Sequence, residues 1–451
     1  MNTHTTKYTH RHLARVILET RTPLAIGSGE KDIITDALVA TDANGLPYIP
    51  GTTIGGVLRS MMGGEETNET FGFQSKTETR GSNIIFSEAK ILDSRGRVMD
   101  GQQDAPFADT LLAHYQDLPV RQHVRIGHQG AAEKHGKFDE QIVFAGTRFC
   151  FEIEMVAEDD LVLALETTLE NLFRHTFRLG SGSRSGFGEV EIISLQRRVL
   201  DLRNDDDRTL YLQKSSALDA AWKGWEDADT PATAPTEEGW CTYEIILRPD
   251  DFFLFSSGEG DDEADMTPVT ESVVQWTEEG GAQCGKMSEQ QVLIPASSVK
   301  GALSHRLAFH YNRLKEQFAD HANGMVGKNN EAIRTLFGAE DPNDIQRGRV
   351  LMSDVFAQPL ESKLMNHVSI DRFTGGAIDG ALFSEKAFFG QGEEYVLRLL
   401  VEEEALTDPE IQTAWECTLR DLTTGMLPLG GGVNRGHGVF TGTITKNGET
   451  L

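Results

Sequence analysis

Three carboxylates, Asp32, Asp36 and Asp42, sit just ahead of the segment 46–59 (LPYIPGTTIGGVLR). That segment sets a proline, a glycine and two hydroxyls, Thr52 and Thr53, before a run of helical spacing that ends on Arg59. Amide N–H groups at a helix start and the positive end of the helix dipole favour a phosphate there. A carboxylate beside a phosphodiester can hold Mg²⁺ or orient a hydroxyl for in-line attack. Segment 293–306 (LIPASSVKGALSHR) repeats the pattern with Ser297, Ser298, Lys300 and Arg306. Taken singly, either motif also describes an ordinary capped helix beside a solvated aspartate.

Two glycine-rich loops carry a stronger signal. Gly180, Gly182, Gly186 and Gly188 surround Arg184; Gly430, Gly431, Gly432, Gly436 and Gly438 surround Arg435. Glycine permits positive φ and close approach to a ligand, and successive N–H groups form an anion nest. A plain helix-to-strand turn rarely needs so many. Neither loop is GxxxxGK[ST], so a nucleotide-hydrolysing P-loop is not supported. Between the motifs lies 121–137 (RQHVRIGHQGAAEKHGK), basic within an acidic chain, with Arg121, Arg125 and Lys137 as candidate phosphate contacts. Its counterpart 367–383 (HVSIDRFTGGAIDGALF) sets Arg372 beside Phe373, with Ile378 and Leu382 following, a set able to touch phosphates and wedge between bases. A solvated hairpin is the alternative for both. His123, His128 and His135 make only a weak metal pattern. There is no GxSxG, catalytic Cys/His pair or dinucleotide fingerprint.

These motifs recur in register, so the chain reads as one unit written twice. Four segment pairs match in order: 35–39 (TDALV) with 270–274 (TESVV), 46–59 with 293–306, FG and NIIFSEA (71–72, 83–89) with FG and RVLMSDV (337–338, 349–355), and the two glycine loops. The first domain is 1–200 and the second 239–451. Residues 201–238, rich in acid, Pro, Ala and Thr, read as a linker in which 211–225 can form a short helix. The acidic stretch 258–265 reads as a mobile loop. Alternating strands are expected at 13–19 and 242–248, helices at 53–62, 161–177, 298–314 and 411–426, and closing strands after each glycine loop. Thr52 and Ser297 stand where helix caps are expected. Strand, helix, strands, helix, strand is the order of a ferredoxin-like α+β domain.

The 451 residues suit two or three domains, and 39% hydrophobic with 25% charged residues is a globular profile. No apolar run has membrane-spanning length, and the first residues have no secretory core, so a cytoplasmic protein is expected. Four dispersed cysteines without CxxC argue against a zinc knuckle or disulfide scaffold and read as reduced thiols. The net charge of −28 argues against a free-standing nucleic-acid binder. Residues 1–200 carry 21 basic and 27 acidic side chains, and 201–451 carry 21 and 43, so a locally basic groove is compatible with an acidic outer surface.

The run Asp36-Ala-Leu-Val, GLPYIPGTT (45–53) and Leu58-Arg59, the run Phe337-Gly338, Asp344-Ile-Gln-Arg-Gly-Arg349 and Ser353-Asp354, and both glycine loops resemble the RAMP superfamily. More narrowly they resemble the repeated backbone subunit of type III CRISPR effector complexes, here as a tandem fusion of two. The resemblance covers most of both copies and omits the linker. It implies two ferredoxin-like (RNA-recognition-like) domains, each with a protruding thumb, at 121–142 and 366–385. It also implies partners: a guide CRISPR RNA, a target RNA and other effector subunits, with no membrane. Each thumb would displace one nucleotide at intervals of about six. An Asp near each gap would cut the paired RNA with Mg²⁺ or Mn²⁺. Asp36 matches that catalytic, metal-holding Asp; Thr52, Thr53 and Arg59 match the guide-binding helix start, and the loop around Arg184 the guide-backbone loop. In the second copy internal alignment puts Glu271 opposite Asp36, with Asp265 the other occupant, and an insertion follows at 276–288. A non-catalytic guide-binding scaffold is the alternative. So is a guide-precursor processing nuclease, for which His305 or His437 would be the general base.

Overall fold

The computed structural model describes residues 8–29, 35–64, 66–127, 130–159, 162–231, 234–317, 325–339 and 345–451; Asp32, His128 and Asp344 lie outside the described residues. Each copy is built on an antiparallel sheet whose central strand opens the copy. His10–Thr20 lies between Arg148–Ala157 and Val190–Asp201. Trp240–Pro249 lies between Tyr395–Glu402 and Phe440–Lys446. A short strand, Ile84–Phe86 or Val350–Met352, pairs on the far side of Arg148–Ala157 or Tyr395–Glu402. Counting these four strands in chain order, both sheets run 4-1-3-2. With a helix after the first strand and another after the third, each copy is a ferredoxin-like α+β domain.

The helices are amphipathic, and each sheet supplies the apolar face they cover. Gly51–Met61 and Leu163–Asn171 bury Ile54, Leu58, Leu165 and Leu169 against Val16, Leu18, Phe149 and Phe151. Ala296–Leu314 and Pro409–Thr423 bury Leu303, Leu307, Trp415 and Leu419 against Tyr243, Ile245, Leu397 and Phe440. Each such side chain contributes about 1.5–3 kcal/mol. The helix expected at 411 begins at Pro409, because the Asp408 carboxylate caps it by accepting from the Glu410 N–H at 2.8 Å. The helix expected over 161–177 stops at Asn171, and the chain then turns to bring Phe177 into the core. Among the described residues no helix is long and apolar enough to cross a membrane.

Outside the sheets each copy carries a long hairpin at the thumb position. The first is Val120–Ile126 with Ala132–Gln141, the second Ser362–Ile370 with Ala377–Phe389. Residues 201–238 are not a free spacer. Asn204 caps a helix at Asp205–Leu212, earlier than the sequence suggests, and Glu226–Asp227 adds an edge strand beside Val190–Asp201. Tyr211 donates to Glu154, and Arg15 to the Leu218 carbonyl, so this segment covers the outer face of the first sheet.

The insertion in the second copy forms the hairpin Val274–Glu279 with Ala282–Met287. It works as a strap. Val274, Trp276 and Met287 join the first copy's core, the Trp276 indole donates to the Gly146 carbonyl at 2.8 Å, and its ring lies 4.3 Å from the Arg148 guanidinium. The Val274 and Gly285 N–H groups donate to the Ala145 and Ser94 carbonyls, each at 2.8 Å. Trp276→Ala is therefore expected to lower the unfolding free energy by about 3 kcal/mol, measured as a lower denaturant midpoint.

Candidate functional site

Both copies hold one exposed aspartate against their hairpin in the same way. The Asp36 N–H donates to Asp139 Oδ1 at 3.0 Å, and the Asp139 N–H donates to Asp36 Oδ2 at 3.3 Å. The Ser384 N–H and Oγ–H donate to Asp265 Oδ2 at 2.7 and 3.0 Å. The next residues form matching parallel bridges, Ala37 with Glu140 and Met266 with Glu385. Asp265 is thus the structural counterpart of Asp36, and the alignment of Glu271 opposite Asp36 is corrected. Segment 35–39 corresponds to 264–268, six residues earlier than the TESVV match. Asp42 serves its own turn, accepting from the Asn44 and Leu46 N–H groups.

Glu271 belongs to the junction between copies. Arg121, only 6% exposed, donates from Nε and a terminal nitrogen to Glu271 at 2.8 and 2.6 Å, and from its other terminal nitrogen to Asp354. Burial opposes the Arg121 charge, but the two carboxylates outweigh it and raise its pKa. Arg121 is therefore a lock and not an RNA contact. Asp354 also accepts from the Ala296 N–H at 2.8 Å, at the start of the helix Ala296–Leu314. Ser297, the expected cap, makes no cap bond, because Asp354 already sits at that helix end, where Ser297 and Ser298 were the expected phosphate contacts. A side chain at Gly186 would strike Asp354 Oδ1 at 2.2 Å, so glycine is required there.

A second ionic group extends the junction. Arg178 donates to the Met352 carbonyl at 3.0 Å and to Ser353 Oγ at 2.9 Å, and lies 3.7 Å from Glu189. Burial alone would raise the Glu189 carboxyl. Hydrogen bonds from His175 and Ser353 and the Arg178 charge outweigh it and hold the group at about 2.

Other expected RNA contacts divide into occupied and available. Arg306 and His310 both pair with Asp421, and Arg435 pairs with buried Glu385, so both arginines already have an acidic partner within the chain. His437, 3.8 Å from Glu385, is buried, and His305 lies 3.3 Å from the Ile126 carbonyl. The glycine loops are shaped first by packing: a side chain at Gly180 would meet the Ala25 carbonyl at 2.4 Å, and one at Gly430 the Leu254 carbonyl at 2.3 Å. Of the remaining loop positions, Gly182 and Gly432 take positive φ, and the Gly431 N–H donates to Leu254. Thr52 is exposed and Thr53 half-buried at the start of Gly51–Met61, where Pro50 is the N-cap and no side chain caps the helix. Arg59 donates to Asn68. Arg184 donates to the Gly348 carbonyl, and Lys300 stands near it without an ion pair among the described residues, its pKa lowered by burial and by Arg184. Arg125, Lys137 and Arg372 are exposed on the hairpins, and Phe373 is 88% exposed. The acidic loop 258–265 is tied down, with Lys386 pairing Asp261 and Glu263, and Gln122 donating to Glu259 at 2.8 Å.

Sequence reasoning missed the hairpin bases. His123 stacks on Phe138 and lies 3.1 Å from Glu140; His367 stacks on Phe383 and lies 2.9 Å from Glu385. The FDE and FSE triplets (138–140, 383–385) were the available signal. For a metal, the exposed Asp36 carboxylate fits Mg²⁺ or Mn²⁺ held by one protein carboxylate and otherwise by water and phosphate. No group of three His, Cys, Asp or Glu side chains gathers for a metal among the described residues.

Arg121→Ala leaves two carboxylates buried without their cation and is expected to destabilise the chain by about 3–5 kcal/mol in denaturant unfolding. Glu189 has its pKa lowered by folding from 4.5 to about 2, so its contribution is present above 4.5 and lost as pH falls toward 2. The stability difference between wild type and Glu189→Gln should therefore be flat near neutrality and shrink across that acid window.

The RAMP superfamily model matches residues 17–191 and 288–441, one region in each copy. No curated protein matches the sequence. With both matched regions lying on the two ferredoxin-like sheets and together spanning most of the chain, this protein belongs to the RAMP superfamily.

Proposed function

We propose that the chain is a guide-RNA-binding backbone subunit of a cytoplasmic type III CRISPR effector complex, and that it cleaves complementary target RNA at two positions about six nucleotides apart. RAMP membership supports a CRISPR-associated RNA-binding subunit. The observation that carries the finer reading is the duplicated carboxylate. Asp36 and Asp265 are both exposed, and each is held at the base of a hairpin by the same backbone pairing. Exposed Phe373 and Leu382 on the second hairpin, and Val124 and Ile126 on the first, suit insertion beside a base. Arg184 and Lys300 supply positive charge where the first glycine loop meets the second copy, which suits a guide phosphate.

The chain's own residues then have separate tasks. The hairpin splays one target nucleotide out of the duplex, bringing its 2′-hydroxyl toward in-line geometry. The Asp36 or Asp265 carboxylate faces that hydroxyl and orients or accepts its proton. A bound Mg²⁺ or Mn²⁺ would supply charge stabilisation at the phosphate. Arg121 and Glu271 hold the two copies in one register. The precursor-processing reading is weaker, because buried His437 stands against Glu385 and His305 faces a backbone carbonyl.

The test is cleavage of labelled complementary RNA by the guide-loaded complex, with Mg²⁺ or EDTA. Asp36→Ala should remove one product and Asp265→Ala another about six nucleotides away, each rate falling about 10²–10⁴-fold. Glu271→Gln should keep both cut positions. Persistence of every product in both aspartate variants would make the chain a non-catalytic scaffold.

A further inference from the structure

We infer that Asp139 and Ser384 are positioning residues for the two carboxylates, each setting its aspartate from the base of the hairpin. The inference rests on the nuclease reading above and goes beyond it. Asp36 and Asp265 are exposed, and among the described residues no other side chain holds either of them. What fixes each is the second arm of its hairpin. In the first copy the link is reciprocal: the Asp139 carboxylate accepts the Asp36 N–H, and the Asp139 N–H reaches the Asp36 carboxylate. In the second copy Ser384 does the same work with different chemistry. Its carbonyl and its Oγ both accept the Asp265 N–H, at 3.0 and 3.2 Å, and the Oγ–H donates to Asp265 Oδ2 at 3.0 Å.

The backbone around each pair repeats as well. The Gln141 N–H donates to the Ala37 carbonyl at 2.9 Å, and the Lys386 N–H donates to the Met266 carbonyl at 2.9 Å. Two copies of one chain, with little sequence left in common here, keep one arrangement and change only the residue that completes it. An acceptor for the aspartate's own N–H is the feature common to Asp139 and Ser384. Because that acceptor sits on the hairpin, movement of the hairpin against a displaced nucleotide and movement of the carboxylate are one event. A displacement of about 1 Å at a reacting group can cost 10²-fold in rate. Part of the link is backbone and survives side-chain removal, so a smaller loss is expected.

The test compares Asp139→Ala, Asp139→Asn, Ser384→Ala and Ser384→Thr in the guide-loaded complex, following each cut separately. Asp139→Ala should slow the first cut about tenfold and leave the second cut, guide affinity and half-saturating Mg²⁺ unchanged. Asp139→Asn, which keeps an acceptor without the charge, should restore the first cut to within about threefold. Ser384→Ala should slow only the second cut, and Ser384→Thr should restore it. If Asp139→Asn is as slow as Asp139→Ala, or half-saturating Mg²⁺ rises, the carboxylate acts through its charge and the positioning role is overturned. If both alanine variants cut like wild type while Asp36→Ala removes a product, this inference alone fails. If Asp36→Ala and Asp265→Ala also leave every product, the nuclease reading fails with it.

Discussion

A buried guanidinium between two carboxylates organises the molecule. Arg121 leaves the first hairpin and ends between Glu271 and Asp354 of the second copy, under the face of Phe187 at 4.7 Å. Removing a charge of this kind from water is costly and is offset only when its partners are well placed. The partners here are well placed because each has a second structural duty. Asp354 holds the start of a helix and excludes any side chain from Gly186, and Glu271 lies on a strand paired with Gln291–Ile294. One interaction therefore fixes the first hairpin, the first glycine loop and the second copy's lead helix together.

The lock is not repeated at the outer ends of the chain. The base of the second hairpin has Met365 in the register position of Arg121, two residues before the stacked histidine in each case. In the first copy the counterparts of Glu271 and Asp354 are Asp42, engaged in its own turn, and Glu88, paired with Lys90. The strap from Val274 to Met287 is likewise present only in the second copy. The internal junction is thus chemically specialised, while the two carboxylate loops have kept one geometry.

Periodicity made the two sheets, their main helices and the duplication legible, because each rests on local pattern and on motifs near both ends of a copy. Asp36 stood out only through the family resemblance of its place before LPYIPGTT. The second-copy site was legible only as a choice between Asp265 and Glu271. The insertion after Glu271 preserves a superficial TDALV–TESVV likeness, whereas the true register is set by pairing with a hairpin more than a hundred residues away. Arg121, Arg306 and Arg435 looked like phosphate contacts because their acid partners are remote in sequence. Ser297 looked like a cap because nothing local announces Asp354 at the helix end. Residues 205–227 looked like linker because their partners lie on the outer face of a sheet built from distant strands.

The chain itself, before any RNA binds, holds its two carboxylate sites in one fixed relation. Hydrogen exchange of the guide-free chain at the N–H groups of Val274, Gly285 and Asp354, which donate to Ala145, Ser94 and Gly186 across the junction, tests this most directly. Protection comparable to that of the central strands His10–Thr20 and Trp240–Pro249 is expected. Exchange at the rate of open loops, with those strands still protected, would contradict it.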